Sequence, residues 1–346
     1  MDIKAAVLRN KNNLELLTIS KTKLVEGQVL VKVLFSGVCR SQLMEVRGLR
    51  GKDQWLPHLL GHEGSGVVQE VGPGVTKVSS GDEVILTWIK GEGLEAPGAQ
   101  YRCGEQTINS GQVTTFSNYT VVSENRVVKK PVELPFDTAV LFGCALPTGA
   151  GMVLNEMVIK PESNVVVLGL GGIGLSALLT AKYLGVRQLI AVDVAENKLE
   201  IARKWGVEHV FHSKDENLQE KILQLTDGGA NFCIESAGRV ESIELGFSFI
   251  RKGGGKLIFA SHPQEGETIK LNPHELISGK QIAGSWGGAS QPDRDIPRIH
   301  KLLSKASQPL NSLLTKRYLL ENINEALDDL EAGIVFRPLI KMEHPE

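Results

Sequence analysis

Residues 164–193 read NVVVLGLGGIGLSALLTAKYLGVRQLIAVD, and this stretch decides the fold of the chain. Residues 165–168 are aliphatic and mostly β-branched, which is typical of a short strand buried on both faces. The turn G-x-G-x-x-G follows at 169–174, and apolar residues then recur at helical spacing as far as Leu184. A second apolar run, 189–192, ends at Asp193. This order of strand, tight turn, helix, strand and acidic residue indicates a dinucleotide-binding unit.

Each residue type in this stretch suits a dinucleotide. Gly169 permits the tight turn, Gly171 lets the backbone approach a pyrophosphate, and Gly174 lets the helix pack closely on the strand. The N-terminus of the helix offers free N–H groups and a positive dipole end to the phosphates. Asp193 can accept hydrogen bonds from the ribose hydroxyls and repels a 2′-phosphate, so we expect NAD rather than NADP. The turn residues expected at the cofactor are Gly169, Gly171, Gly172, Ile173 and Gly174.

Length and composition limit the class of protein. The 346 residues are enough for two domains with sizeable cores. The net charge of −2 provides no basic surface for nucleic acid or an anionic membrane, and no apolar run is long enough to span a bilayer. The N-terminus, MDIKAAVLRN, lacks an apolar signal core, so we expect a cytoplasmic protein. The four cysteines are scattered and form no C-x-x-C pair, which favours ligands or buried thiols over disulfides.

Four motifs carry a resemblance to a known family. They are GVCRS at 37–41, GHEGSGVVQEVGPGV at 61–75, LFGCALPTGAG at 141–151 and GLGGIG at 169–174. In this order they resemble the zinc-dependent medium-chain alcohol dehydrogenases, and the resemblance runs from about residue 5 to residue 342. It implies an α/β protein with a GroES-like, mostly-β catalytic domain and a Rossmann domain with a doubly wound parallel sheet. The expected boundaries are 1–147 with 286–346 for the catalytic domain, and 148–285 for the NAD-binding domain.

Local sequence patterns agree with these two domains. Short apolar runs at 5–8, 14–19 and 29–35 predict antiparallel strands, and a β-branched run at 114–122 predicts another. After Asp193, predicted helices at 196–205, 218–225 and 240–251 alternate with predicted strands at 210–211, 231–235 and 256–260. A helix is expected at 139–146, and two amphipathic helices with a short strand near Tyr318 are expected within 295–331.

The resemblance implies a catalytic zinc held by Cys39, His62 and Cys144, with Glu63 next to the metal and able to enter its shell transiently. The chemistry of the side chains agrees, because two thiolates and one imidazole suit Zn²⁺ and leave a fourth position for water or a substrate oxygen. The metal would act as a Lewis acid that lowers the pKa of the bound alcohol, and hydride would pass to the nicotinamide. Ser41 matches the hydroxyl that takes the alcohol proton.

Two residues depart from the family pattern. Gln42 stands where the family often has an aspartate bonded to the ligand histidine, and a neutral amide orients that ring less strongly. Met44 stands where the classical enzymes end their proton relay with a histidine. Beyond Ser41 the relay is therefore unassigned, and water is one candidate to complete it.

Residues 88–112 lie where many relatives carry four cysteines for a structural zinc. Only Cys103 is present, and one thiolate cannot close a tetrahedral site. We therefore expect one zinc per chain, no structural zinc, Cys103 as a free thiol, and an unusual conformation for this glycine-rich loop.

Further cofactor contacts are implied only by the resemblance: Arg40, Thr148, Lys198, Arg239 and Arg337. Surface ion pairs remain an alternative for Arg40 and Arg337, and a solvated helix lysine remains one for Lys198. The strand near Ile282 resembles the one that joins two cofactor domains across a dyad, so we expect a homodimer or a tetramer of such dimers.

The sequence thus predicts an NAD- and zinc-dependent dehydrogenase that oxidises a primary or secondary alcohol or reduces the carbonyl. A polyol or sugar-alcohol dehydrogenase of the same superfamily is a rival: Cys144 speaks against it, whereas Met44 and the missing structural zinc favour it. A zinc-free binding protein is a second rival, which Cys39, His62 and Cys144 oppose. The substrate itself is not determined by the sequence.

Overall fold

The computed structural model describes residues 1–304, 310 and 313–344. The predicted catalytic domain and the predicted helical segment 295–331 include residues outside this part, namely 305–309, 311–312 and 345–346. The chain forms two compact units. Unit 1 comprises Met1–Cys144, Gln291–Pro297 and Ser307–Glu346, and unit 2 comprises Ala145–Ser290 and Arg298–Ala306.

Unit 1 contains a closed barrel and a seven-stranded sheet. The barrel strands are β1 (Asp2–Asn10), β2 (Asn13–Lys21), β4 (His58–Leu59), β7 (Gln100–Cys103) and β8 (Gln106–Asn109). The sheet strands are β3 (Gln28–Gly37), β5 (Glu63–Val71), β6 (Glu83–Thr87), β9 (Tyr119–Ser123), β10 (Val127–Lys129), β17 (Arg317–Leu319) and β18 (Leu339–Lys341). Their order is β10-β6-β5-β3-β18-β17, with β9 also paired to β3.

Alternating side chains of these strands fill two apolar cores. One core lies on β3 and β5 and includes Val29, Val31, Val33 and Val68. The other fills the barrel and includes Ile3, Tyr101 and Ile108. Unit 1 also contains three helices, α1 (Arg40–Val46), α2 (Phe136–Ala139) and α10 (Ile323–Glu331). It has 3₁₀ turns at Glu124–Arg126, Val140–Gly143 and Leu320–Asn322. The helix α9 (Pro292–Leu303) belongs partly to each unit.

Unit 2 is a six-stranded parallel sheet with helices between successive strands. The strands are β11 (Asn164–Leu168), β12 (Gln188–Asp193), β13 (His209–His212), β14 (Phe232–Glu235), β15 (Lys256–Phe259) and β16 (Gln281–Gly284), in the order β13-β12-β11-β14-β15-β16. The helices are α3 (Ala145–Gly151), α4 (Gly172–Tyr183), α5 (Glu196–Lys204), α6 (Leu218–Leu225), α7 (Val240–Phe249) and α8 (Pro273–Ile277), with a π-helical turn at Met152–Glu156 and a 3₁₀ turn at Gly287–Ala289. The predicted α/β class, with a GroES-like domain and a doubly wound domain, is confirmed.

Two segments differ from the sequence-based expectations. The predicted strand 114–122 is a strand only from Tyr119 onward, because the backbone N–H groups of Thr115 and Phe116 both donate to the carbonyl of Leu60. The predicted helix 139–146 is broken at Cys144, whose φ and ψ are −149° and −74°. Both departures lie next to the predicted metal ligands.

In the loop 88–112, β7 and β8 form an antiparallel hairpin.

No single helix in the described part of the chain is long and apolar enough to cross a membrane. One bent helix pair, Phe136–Gly143 with Ala145–Glu156, reaches that length and composition together.

Candidate metal centre and cofactor turn

The three predicted zinc ligands come together within unit 1. Cys39 lies between β3 and α1, His62 immediately precedes β5, and Cys144 follows the 3₁₀ turn after α2. The Sγ, N and Sγ atoms that they offer all lie within 4.8 Å of one another. His62 Nε2 is 3.2 Å from Cys144 Sγ. Zn–S bonds of about 2.3 Å in a tetrahedron place two sulfurs about 3.8 Å apart, so this donor set fits Zn²⁺.

A close approach of two loops positions His62. The preceding residue, Gly61, has φ +88°, and a Cβ there would lie 2.4 Å from Thr115 Oγ1. Thr115 Oγ1 in turn donates to the carbonyl of Glu63 over 3.0 Å. Glycine is therefore required at this turn for both conformation and space. Thr115 belongs to the segment 114–122 that was expected to be a strand. This part of the segment instead fixes the turn that carries His62.

A second glycine allows Cys144 to reach the site. A Cβ on Gly143 would lie 2.4 Å from the carbonyl oxygen of Leu86 and 2.8 Å from Cβ of Glu63. The carbonyl of Gly143 accepts a 2.8 Å hydrogen bond from Thr87 Oγ1. The chain can therefore break its helical path here and present Cys144 to His62.

The side chains of Cys39 and Cys144 interact, and their pKa values shift in opposite directions. The hydrogen bond with Cys144 lowers the pKa of Cys39 well below its usual range, although burial opposes this, and nearby Arg337 lowers it further. The same hydrogen bond raises the pKa of Cys144, and burial adds to the effect. Cys39 is thus the thiolate of the pair. Cys39 and Cys144 would hold a metal cation as thiolates, so its binding would release the thiol proton of Cys144.

Glu63 lies beside the thiols and is fully buried. Its Oε2 accepts a 2.8 Å hydrogen bond from Nη2 of Arg337, which is also buried. Burial raises the pKa of Glu63, while Arg337 opposes the rise and Cys39 adds to it. Arg337 also hydrogen-bonds the side chain of Cys39. The structure therefore places Arg337 at the metal centre, and its contact with a pyrophosphate stays a prediction.

Gln42 takes the position beside the ligand histidine. Its amide hydrogen-bonds Nδ1 of His62, and the side chain is 4% exposed. His62 can bind a metal through Nε2 only when Nδ1 carries the proton, because a neutral imidazole has one donor and one acceptor. The amide nitrogen of Gln42 faces Nδ1 here, so a metal on His62 Nε2 requires this amide to be turned over, with its oxygen accepting from the Nδ1–H group.

Ser41 lies on α1, the helix that follows Cys39. Its hydroxyl is buried and has no hydrogen-bond partner among the described residues. An unpartnered buried hydroxyl is costly unless a ligand completes its hydrogen bonding. The predicted role of Ser41 as a proton carrier stays a prediction, and its free hydroxyl supports that role.

The glycine turn of unit 2 has the expected form. Gly169 has φ +89°, and a Cβ on Gly174 would lie 1.8 Å from the carbonyl oxygen of Gly169. Nothing lies within 4 Å of a Cβ built on Gly171, so space remains in front of the backbone there. Gly172 and Ile173, half-buried, begin α4. This turn can accept a pyrophosphate against its N–H groups.

Asp193 ends β12 and is 5% exposed. Its Oδ2 accepts a 2.5 Å hydrogen bond from the N–H of Leu170, and its Oδ1 accepts one of 2.9 Å from the N–H of Ala195. Lys198 Nζ lies 3.8 Å from Oδ2. The carboxylate thus fixes the glycine turn in addition to the ribose role predicted from sequence.

The remaining predicted cofactor residues lie on three different helices or their termini. Arg40 is exposed at the start of α1 in unit 1, and Arg239 is exposed immediately before α7 in unit 2. Thr148 is 3% exposed within α3. Their cofactor contacts stay predictions.

Sequence reasoning missed several features of the site. It did not pair Glu63 with Arg337, which are 274 positions apart. It did not place Trp88 beside His62, where the ring centroids are 6.4 Å apart in an edge-on arrangement. It also passed over His58, although PHLLGHE contains two histidines four residues apart. That spacing is the one local signal that could have been used.

Comparisons with known proteins agree with this site. Residues 25–132 match the family described as "Alcohol dehydrogenase GroES-like domain", and residues 172–305 match "Zinc-binding dehydrogenase". The chain is 28% identical to alcohol dehydrogenase 1 of Trifolium repens, covering 92% of this chain and 90% of that protein.

Solved structures extend the similarity to the whole chain. The structure of benzyl alcohol dehydrogenase from Acinetobacter calcoaceticus is 31% identical with a TM-score of 0.89, and 99% of this chain and 100% of that one are covered. An alcohol dehydrogenase zinc-binding domain protein from Burkholderia ambifaria is 27% identical with a TM-score of 0.91, at coverages of 99% and 100%. Together with the family matches, this similarity shows that the chain belongs to the zinc-dependent medium-chain alcohol dehydrogenases.

Proposed function

We propose that this oxidoreductase uses one zinc ion and NAD to oxidise a primary or secondary alcohol, or to reduce the corresponding carbonyl. The observation that carries the proposal is the convergence of Cys39, His62 and Cys144, which offer two sulfurs and a nitrogen within 4.8 Å. Cys103, at the end of β7, is the only cysteine of segment 88–112, and one thiolate cannot close a tetrahedral site, so the proposal includes no structural zinc.

The chain's own residues have separate tasks in this reaction. Cys39, His62 and Cys144 would hold the zinc, and Gln42 orients the His62 ring through Nδ1. Arg337 neutralises Glu63 beside the thiols. The hydroxyl of Ser41, buried without a hydrogen-bond partner among the described residues, would take the alcohol proton. When bound, zinc supplies a Lewis acid for the alcohol oxygen, and NAD supplies the hydride acceptor.

A substrate screen that follows NADH absorbance tests this function. The panel should contain aliphatic primary and secondary alcohols, benzyl alcohol and sugar alcohols, because one similar structure is that of a benzyl alcohol dehydrogenase. Activity confined to sugar alcohols would favour the polyol dehydrogenase rival. A protein that binds no zinc and reduces no NAD would contradict the proposal.

We expect Asp193→Ala to relax the preference for NAD over NADP. The variant loses the carboxylate that repels a 2′-phosphate and that accepts hydrogen bonds at the ribose. Hydrogen bonds to charged groups contribute roughly 1.5–3 kcal/mol. The ratio of kcat/KM with NAD to kcat/KM with NADP should therefore fall roughly 10- to 100-fold. Asp193→Asn is the matched control for charge, because its amide oxygen can still cap the N–H of Leu170. A wild type that already prefers NADP contradicts this assignment.

We also propose a homodimer, or a tetramer built from such dimers. Within the described residues β16 pairs only with β15 and therefore forms one edge of the unit 2 sheet. Exposed apolar side chains lie close to it in sequence, with Ile277 79% and Trp286 71% exposed. Open sheet edges and apolar surface both favour association. Light scattering at micromolar concentration should give at least twice the mass of the 37.6 kDa chain, and a monomer alone would contradict the proposal.

A further inference from the structure

A cavity of about 580 Å³ in unit 1 reaches the metal ligand His62. Gln42 and Glu45 of α1 line it, as do His58 of β4 and Arg50. Its remaining lining includes backbone and side chains from residues 98–100 and 109–114. The cavity therefore connects the metal centre to a group of titratable side chains that the proposed reaction has not yet used.

His58 is the centre of that group. It is 7% exposed, and its Nε2 lies 2.8 Å from Oδ2 of Asp53 and 3.9 Å from Oε1 of Glu45. Its Nδ1 lies 3.0 Å from the carbonyl oxygen of Leu59, which can only accept, so Nδ1 is the donor in that bond. Nε2 is consequently the nitrogen that exchanges a proton, and it faces both carboxylates.

Glu45 belongs to two cavities. It lines the one that reaches His62, and together with Asp53 it lines a second cavity of about 400 Å³. Lys11 and Lys52 also line the second cavity. The side chains of Glu45 and Asp53 are 28% and 20% exposed, whereas that of His58 is 8% exposed. The cluster thus joins a cavity at the metal centre to a separate one that contains no metal ligand.

The helix α1 brings the start of this path close to Ser41. Ser41 and Glu45 are four residues apart on α1, so they share one face of the helix. Met44, on the same helix, has only a weakly accepting sulfur and cannot carry a proton. A proton leaving Ser41 therefore finds its nearest carboxylate on this helix one turn away, at Glu45.

We propose that Glu45, His58 and Asp53 form the exit path for the alcohol proton. The inference rests on the proposed function, which releases one proton for each alcohol oxidised by NAD. The substrate O–H bond breaks as Ser41 accepts the proton, the Ser41 hydroxyl gives up its own proton, and a bridging water carries that proton one turn along α1 to the carboxylate of Glu45. Asp53 takes the proton that Nε2 of His58 already donates to it and releases it to water in the second cavity, and Nε2 regains a proton from Glu45 through a bridging water, because 3.9 Å is too long for direct transfer. Each step breaks one O–H or N–H bond and forms another, with no electron transfer.

Positive charges lie around the two carboxylates. Arg50 Nη1 lies 3.6 Å from Oε2 of Glu45, and Lys11 and Lys52 share the second cavity with both carboxylates. Partial burial raises the pKa of Asp53, but hydrogen bonds from Trp55 and His58 outweigh it, so that the pKa lies below its usual range. A lowered pKa means that Asp53 releases a proton readily to water, which suits the last position of the path.

The same three side chains could instead hold a metal ion, because their donor atoms lie within 4.8 Å of one another. A metal at this cluster would occupy Nε2 and both carboxylates and would block proton transfer. A proton path and a metal site predict different metal contents, so metal analysis distinguishes them.

The test compares Glu45→Gln, Asp53→Asn and His58→Gln with the wild type and with Glu26→Gln, a variant of an exposed glutamate outside the cluster. Single-turnover rates of NADH formation are measured against pH in H₂O and D₂O. Glu45→Gln should lower the rate near pH 7 by about 10²-fold, with the loss shrinking at high pH as hydroxide becomes the acceptor. Glu45→Ala should regain rate in added formate. Thermal midpoints and zinc content should stay at wild-type values.

Several outcomes would overturn the path. One is a Glu45→Gln profile that coincides with those of the wild type and Glu26→Gln. Another is a second metal per wild-type chain that disappears in Asp53→Asn. The rate of Glu45→Gln could also fall by the same factor at every pH, while formate fails to rescue Glu45→Ala. That result would show that Glu45 has only a structural role. A wild type that oxidises no alcohol overturns the proposed function itself, and the path with it.

Discussion

Replacement of Cys39 by serine is expected to remove the zinc and most of the activity while leaving unit 2 folded. Serine offers a hydroxyl that stays protonated near neutral pH, so the site loses a thiolate ligand. A Lewis acid contributes several kcal/mol to the transition state, and about 1.4 kcal/mol corresponds to tenfold in rate. Activity should therefore fall by at least roughly 10³-fold. Elemental analysis and steady-state rates measure the two effects.

The chain offers a matched control in Cys103→Ser, because Cys103 is a free cysteine at the end of β7 and not among the three converging ligands. This variant should keep one zinc and full activity. Cys39→Ser should still bind NAD, because the glycine turn lies wholly in unit 2. Quenching of protein fluorescence measures this binding. Two zinc ions per wild-type chain, with one lost in Cys103→Ser, would refute the expectation of a single site.

Ser41→Ala should lower the rate of hydride transfer by roughly 10² to 10⁴, as expected for loss of a positioned proton carrier. The Ser41 hydroxyl is buried without a hydrogen-bond partner among the described residues, so its removal leaves no other polar group unpaired. The loss should consequently appear in the rate and not in the thermal midpoint. Single-turnover absorbance at 340 nm, recorded across a pH series, separates the hydride step from product release.

The neighbouring methionine is the control for this variant. Met44→Ala should cost little, because the sulfur carries no proton, and Met44→His should raise the rate modestly where proton removal limits it. An unchanged hydride step in Ser41→Ala would mean that the proton leaves without this hydroxyl. In that case Glu45 could still receive it directly from the cavity, and the Glu45→Gln profile would distinguish the two routes.

Local patterns predicted unit 2 well because its strands and helices are set by short-range periodicity. The strand 165–168 and the helix that follows it lie within one residue of β11 and α4 at each end. The helix 218–225 has the predicted bounds. In a parallel sheet buried on both faces, apolar runs and glycine turns are nearly sufficient to mark the elements.

The same reasoning failed where tertiary contacts overrode local preference. The predicted strand 114–122 is rich in residues of high strand propensity, yet the N–H groups of Thr115 and Phe116 donate to Leu60, and these two residues lie against Gly61. Residues 139–146 form a helical pattern, but the approach of Gly143 to Leu86 and Glu63 breaks the helix at Cys144. In both segments the metal centre gains its geometry from the departure.

The sequence by itself indicated the family, the three residues that converge as a candidate metal site and the form of the glycine turn, because each depends on residues close together in the chain or on a motif. Only the tertiary structure decided that Arg337 neutralises Glu63, and that Glu45, Asp53 and His58 meet beside the cavity of His62. Such pairs leave no periodicity in the sequence. They form because strands and loops distant along the chain are folded against one another, which brings buried charges to the partners that they need.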